Sequence, residues 1–188
     1  MAHKHGWSTV FASFEQHPQI DHRRALRKWI TRKAEENCSD EDLHRADDWI
    51  DQHFSFVIGD EDEDATLDWL LDKLASAVIR YGSDIAVIDP WNEMDHQRQP
   101  HQTTTEYTGI AIRALKKFAR KWNVHLIVVA HPAKILRDRE GKTPVPTLYD
   151  IADSAHWYNK PDIGIVIHGE HDERIGDHTA VYVKKSRY

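Results

Sequence analysis

Cysteine is almost missing from this chain. Cys38 stands alone among 188 residues, which excludes an internal disulfide framework and fits a reducing compartment. No run of about 20 apolar residues occurs, and residues 1–7 hold no apolar signal core. Neither a membrane span nor secretion is expected, so the chain reads as cytoplasmic. An excess of positive charge is missing too. The formal net charge of -6 argues against coating nucleic acid or anionic membrane by bulk charge, although a local basic loop can still do so.

What is present is globular. Hydrophobic residues make up 40% and charged residues 30% of the chain, and its length suits one domain with a sizeable core. The β-branched and aromatic run Trp7 to Phe14, closed by Glu15, reads as a buried strand. Helical spacing follows from Asp21 to Glu36 through Ala25, Leu26, Trp29, Ile30 and Lys33. Ser39 to Asp42 resembles a capped helix start, with Leu43, Ala46, Trp49 and Ile50 on one face. His53 to Ile58 is a short strand before an acidic loop from Gly59 to Asp64. Thr66 to Tyr81 predicts an amphipathic helix that turns Leu67, Leu70, Leu71, Leu74, Val78 and Ile79 inward and stops at Gly82.

Two runs, Ile85 to Asp89 and Val124 to Ala130, have no polar alternation, as expected of strands covered on both faces. A helix from about Thr104 to Trp122 separates them. The stretch Lys134 to Pro146 is a polar loop, residues 147–160 a short helix or turn, and Asp162 to His168 a strand. A charged hairpin connection from Gly169 to His178 leads into a last strand, Thr179 to Ser186. Alternating strands and helices predict an α/β fold with a mostly parallel sheet wrapped on both sides, as a single domain over residues 1–188.

In such sheets, ligands sit at the carboxyl ends of the strands. Glu15, Asp89 and His131 are the suggestive strand ends here. A carboxylate delivered by an apolar strand, as Asp89 is, can hold Mg²⁺ through water beside a phosphate chain, or simply cap the turn into Pro90. Glu15 can orient an attacking water, or be a surface acid at a strand exit. The usual partner of such residues, a G-x-x-x-x-G-K-[ST] loop, is not found. Gly141-Lys142-Thr143 comes nearest, but its first glycine would fall at Leu136, and Pro144 and Pro146 prevent the helix that must follow.

The segments Phe11 to Glu15, Ile85 to Glu93, Ile127 to Pro132 and Lys184 to Arg187 resemble, in order, the motifs of DnaB/Twinkle-type replicative helicases. Residues 144–157 resemble the phage and bacterial branch related to primase-helicases. The resemblance covers nearly the whole chain. It implies a RecA-like ATPase domain, shortened at the N-terminus before the first strand and phosphate loop and ending just past the last motif. Such a domain works in a homo-oligomer, a hexamer when complete, coupling ATP and Mg²⁺ to movement on single-stranded DNA.

Residue by residue, the resemblance makes Glu15 the water-activating glutamate and Asp89 the Walker B aspartate. His131 takes the place of a glutamine that senses the γ-phosphate. Lys185 and Arg187 match a K-x-R pair that reaches the neighbour's nucleotide, Arg187 as an arginine finger. Loops 95–104 and 133–147 would face the DNA channel, the second with Lys134, Arg137, Arg139 and Lys142. Asp153 departs from the family, which often has a glycine before the serine in this region. Without a phosphate loop, these residues alone are expected neither to bind ATP tightly nor to hydrolyse it.

Two other classes stay open: a non-catalytic RecA-like scaffold that binds DNA or modulates an intact helicase, and a metal-dependent nuclease or phosphatase. Among the 14 histidines, His3, His5, His168, His171 and His178 are the metal candidates, with His168 to Glu173 the densest cluster, but on an expected solvent-exposed hairpin. Trp29, Trp49 and Trp69 read as core, and Trp91 and Trp157 as pocket walls in preference to base-stacking platforms.

Overall fold

The computed structural model describes residues 1–59, 63–137, 139, 141–151, 155–172 and 176–187. They form two compact units, Met1–Gln97 with Leu115–Ala130, and Arg98–Ala114 with His131–Tyr188.

In the first unit a short helix α1 (Ala2–His5) closes on Gly6 and leads into β1 (Thr9–Ser13). A π-helical turn, Pro18–His22, runs into α2 (Arg23–Thr31), which Arg32 ends in the left-handed region. Helix α3 (Asp40–His53) starts on the expected capping box: the Ser39 hydroxyl accepts from the Asp42 amide, and the Asp42 carboxylate accepts from the Ser39 amide. Then come β2 (Phe54–Val57), α4 (Leu67–Tyr81) and β3 (Ile85–Asp89). Helix α5 (Thr104–Trp122) contributes its carboxyl half to this unit, and β4 (His125–Val128) completes the sheet.

The sheet order is β2-β1-β3-β4 with every pairing parallel. Its apolar centre explains that order. Val10 and Ala12 of β1 and Ala86 and Ile88 of β3 have no exposed surface, and strands so covered contribute about 1.5–3 kcal/mol for each large side chain buried. Helix α4 packs against β1 and β2, burying Leu70, Leu74 and Ala77.

An ionic lattice ties α2 to α3. Arg27 binds both carboxylate oxygens of Asp47, at 2.8 and 2.6 Å, and Arg23 adds a third bond at 3.0 Å. Hydrogen bonding from Arg27 holds the Asp47 carboxyl below its ordinary value of 3.8. A carboxylate with a depressed folded value stabilises the fold above its ordinary value, and that stability is lost as pH falls through the folded one. Asp47→Asn should therefore cost about 1–2 kcal/mol near neutrality. The gap from wild type should close once the pH drops well below 3.8. Urea unfolding of both proteins across that range is the check, and a gap independent of pH would assign the loss to packing instead.

The second unit holds the amino half of α5, whose start is a reciprocal cap. Thr103 Oγ1 accepts from the Glu106 amide, and Glu106 accepts from the Thr103 amide at 2.9 Å. A Cβ at Gly109 would lie 2.7 Å from the far edge of the His156 ring, so any side chain there would make that ring shift. The Lys160 ammonium donates to the Gly109 carbonyl at 2.6 Å. After α6 (His156–Asn159), an antiparallel hairpin of β5 (Ile163–Asp172) and β6 (Gly176–Ser186) forms a separate two-stranded sheet. Gly164 lies so close to buried Leu148 that any side chain there would displace it.

Several expectations need correction. Ile79 is 71% exposed, not inward. It lies nine positions from Leu70, and at about 100° per residue that is half a turn from the buried line. The Val124–Ala130 run is not doubly buried either. Its strand β4 ends the sheet order, alternates between exposed and half-buried, and leaves Ile127 41% exposed. The Asp21–Glu36 helix begins earlier, as the turn at Pro18, and ends at Thr31, so Ala25 and Trp29 face solvent. Most of Gly169–His178 is strand, held by the opposed pair Glu170 and His178 and by His171 on Asp177. The middle of the acidic loop (60–62), Asp138, Glu140, Asp153 and the connection at 173–175 lie outside the described residues.

Candidate functional site

Parallel pairing in register places the carboxyl ends of β1 and β3 side by side. Ser13 is the partner of Asp89, and the Phe14 amide donates to the Asp89 carbonyl at 2.9 Å. Glu15 therefore leaves the sheet next to Asp89, on an exposed turn, while Asp89 itself is half-buried. The Asp89–Pro90 bond is cis, and the chain then enters a single turn at Trp91–Glu93. Trp91 is buried with its ring 4.4 Å from that of His96, and its amide donates to the Val129 carbonyl.

Beyond the two acids, the turn that carries Glu15 is clasped twice. Ser13 Oγ donates to the Gln16 carbonyl at 3.1 Å, and His22 Nε2 lies 2.8 Å from Ser13 Oγ. One residue on, the His17 amide donates to Asp21 at 2.9 Å. The His22 ring rests against Phe11 and Phe56, and burial there holds its pKa below the ordinary value in spite of the nearby Asp89 and Asp21 charges. Ser13 lies within the Phe11 to Glu15 motif segment without a role of its own there, and His22 belongs to no recognisable spacing. A mostly apolar pocket of about 250 Å³ opens beside Ser13 and Phe14, walled by Pro18, Val57 and Trp69.

The oxygen donors suit a hard cation shared with phosphate oxygens and water. Mg²⁺ keeps most of its water and is usually held by one or two carboxylates, which Asp89 with its neighbours can supply. Among the described residues no group of three or more histidine, cysteine or acidic side chains is placed to hold a metal by itself. His171 and His178 pair instead with Asp177 and Glu170.

The remaining candidates belong to the second unit. His131 is exposed just after β4 in the chain. Lys134, Arg137, Arg139 and Lys142 are all exposed on a stretch without regular structure. At the end of β6, Lys185 Nζ donates to the carbonyls of Tyr158 and Asn159, which close α6. Arg187 donates to the Asn159 carbonyl at 2.6 Å and pairs with Asp162 at 3.2 Å. Cations at a helix carboxyl end meet its unpaired carbonyls and negative dipole, so both side chains are held within their own chain. No helix among the described residues is long and apolar enough to cross a membrane.

Residues 2–135 match the family model described as an AAA domain. The chain is 35% identical over 195 residues to the Twinkle homolog protein, chloroplastic/mitochondrial, of Arabidopsis thaliana. That match takes in 98% of this chain and 27% of the relative, so the chain spans about a quarter of the length of that protein. Two solved structures share the fold across 97% of the chain. One is an ATPase domain (TM-score 0.70, 16% identity, 68% of that chain), the other a DnaB-like replicative helicase studied with primase (TM-score 0.73, 17% identity, 47% of that chain). With its four parallel strands flanked by helices, the chain belongs to the AAA domain family, as a DnaB/Twinkle-like helicase ATPase domain of the RecA fold.

Proposed function

We propose that these residues form the acidic side of an ATP-hydrolysis site in a ring-forming replicative DNA helicase, coupling ATP turnover to movement along single-stranded DNA. The observation that supports this reading is the pairing of Ser13 with Asp89, which brings the segment leading to Glu15 beside the strand end at Asp89. Glu15 orients the attacking water and accepts its proton. Asp89 holds the waters of Mg²⁺, and the bound cation neutralises charge developing on the phosphates. His131 hydrogen-bonds a γ-phosphate oxygen. Lys185 and Arg187 serve the nucleotide of the adjacent subunit. No G-x-x-x-x-G-K-[ST] occurs within residues 1–188, so the tests supply a phosphate-loop segment.

Lys134, Arg137, Arg139 and Lys142 contact the DNA backbone in the channel. The test is hydrolysis of ATP stimulated by single-stranded DNA, in the chain joined to a phosphate-loop segment. Replacing the four basic residues by alanine should remove the stimulation and flatten the salt dependence of DNA binding, leaving basal turnover intact. Each lost phosphate contact should lower the slope of log affinity against log salt by about 0.7. Unchanged stimulation would return the loop to plain solvent exposure. A chain that binds DNA but never hydrolyses ATP, even with the loop segment supplied, would favour the scaffold reading. Mg²⁺-dependent DNA cleavage without ATP would favour a nuclease.

A further inference from the structure

We propose that His22 is a positioning residue for Glu15, acting through the Ser13 hydroxyl to hold the turn on which Glu15 sits. The inference rests on the reading of Glu15 as the residue that orients water, and it adds a member that no sequence motif assigns.

The proton order follows from the geometry. Ser13 Oγ lies 3.1 Å from the Gln16 carbonyl oxygen, an acceptor only, so the hydroxyl proton points there. The contact of 2.8 Å between His22 Nε2 and Ser13 Oγ is then left for His22 to donate. The relay runs from Nε2–H to Ser13 Oγ and from its hydroxyl to the Gln16 carbonyl, one residue beyond Glu15. Asp21 fixes the other side of the same turn through the His17 amide. Glu15 is exposed and follows a strand end, so its position depends on how the backbone of this turn is held. The tie is well anchored. Phe11 and Phe56 sit 5.2 and 5.7 Å from the His22 ring, and the π-helical turn Pro18–His22 brings the ring back over β1. Asp89 on β3 and Asp21 on the same turn are the charges that act on it. Burial keeps it neutral near pH 7, so one ring nitrogen carries the proton and the relay selects Nε2.

Two measurements test the assignment. In the 188-residue chain, ¹⁵N NMR near pH 7.5 should find His22 neutral and protonated on Nε2, and an Nδ1–H tautomer would overturn the relay. In the chain joined to a phosphate-loop segment, His22→Leu keeps bulk but loses the donor, and should lower kcat about ten- to a hundredfold with KM for ATP within about twofold. His22→Gln, which restores an N–H donor, should recover most of that loss. Ser13→Ala should match His22→Leu, and the double variant should be no worse than either. Glu15→Gln run alongside separates the two claims. If it abolishes turnover while His22→Leu stays near wild type, the positioning role is wrong and the Glu15 role stands. If Glu15→Gln itself turns over normally, both fall.

Discussion

Glu15→Gln should lower ATP turnover by about two to four orders of magnitude in the chain joined to a phosphate-loop segment, without changing its thermal midpoint. The amide keeps the size and much of the hydrogen bonding of the carboxylate but cannot take a proton from water. Removing a positioned general base typically costs that much. Stability should change little because Glu15 is exposed. Nucleotide affinity should also hold, since binding depends on the phosphate loop and Mg²⁺, so the loss belongs in kcat. Single-turnover kinetics would check this directly. Turnover within threefold of wild type would remove Glu15 from the chemistry and leave Asp89 as the only acid at these strand ends with a proposed role.

The second large effect is expected at Arg187. In the structure it spends its donors on the Asn159 carbonyl and Asp162, and its side chain is 44% exposed. A surface pair of that kind is worth below about 1 kcal/mol. A neighbour's nucleotide offers far more, because the planar guanidinium stays charged and presents paired donors to phosphate oxygens. Arg187→Ala should therefore reduce turnover by about a thousandfold or more, with thermal stability nearly intact. Arg187→Lys should not restore it, since a point charge cannot match the paired geometry. Mixing the Arg187→Ala and Glu15→Gln proteins should recover part of the activity, as some interfaces then unite an intact arginine with an intact glutamate. A lowered thermal midpoint with normal turnover would make Arg187 a latch on the end of α6 and nothing more. No recovery after proven subunit mixing would rule out action in trans.

Local chemistry was legible along much of this chain. The Ser39 capping box, the left-handed stop at Gly82, and the strand ending in Asp89 are each determined within a few residues, by hydrogen bonds and backbone sterics that need no distant partner. The order of motifs was enough to point to the family, because it joins four short segments across nearly the whole chain. Burial was not legible in the same way. Apolar residues 124–130 predicted a covered strand, yet only the sheet order makes β4 an edge. Ile79 fits an amphipathic helix in composition, and only the face presented to β1 and β2 leaves it in solvent. The clasp around Glu15 lay further out of reach. A histidine nine positions after a serine has no periodic signature, and the two meet only because the turn at Pro18 reverses the chain over β1. Hydrogen bonds within a turn can be read from neighbours in sequence, whereas the proton order among Ser13, Gln16 and His22 depends on distances that only the tertiary structure decides.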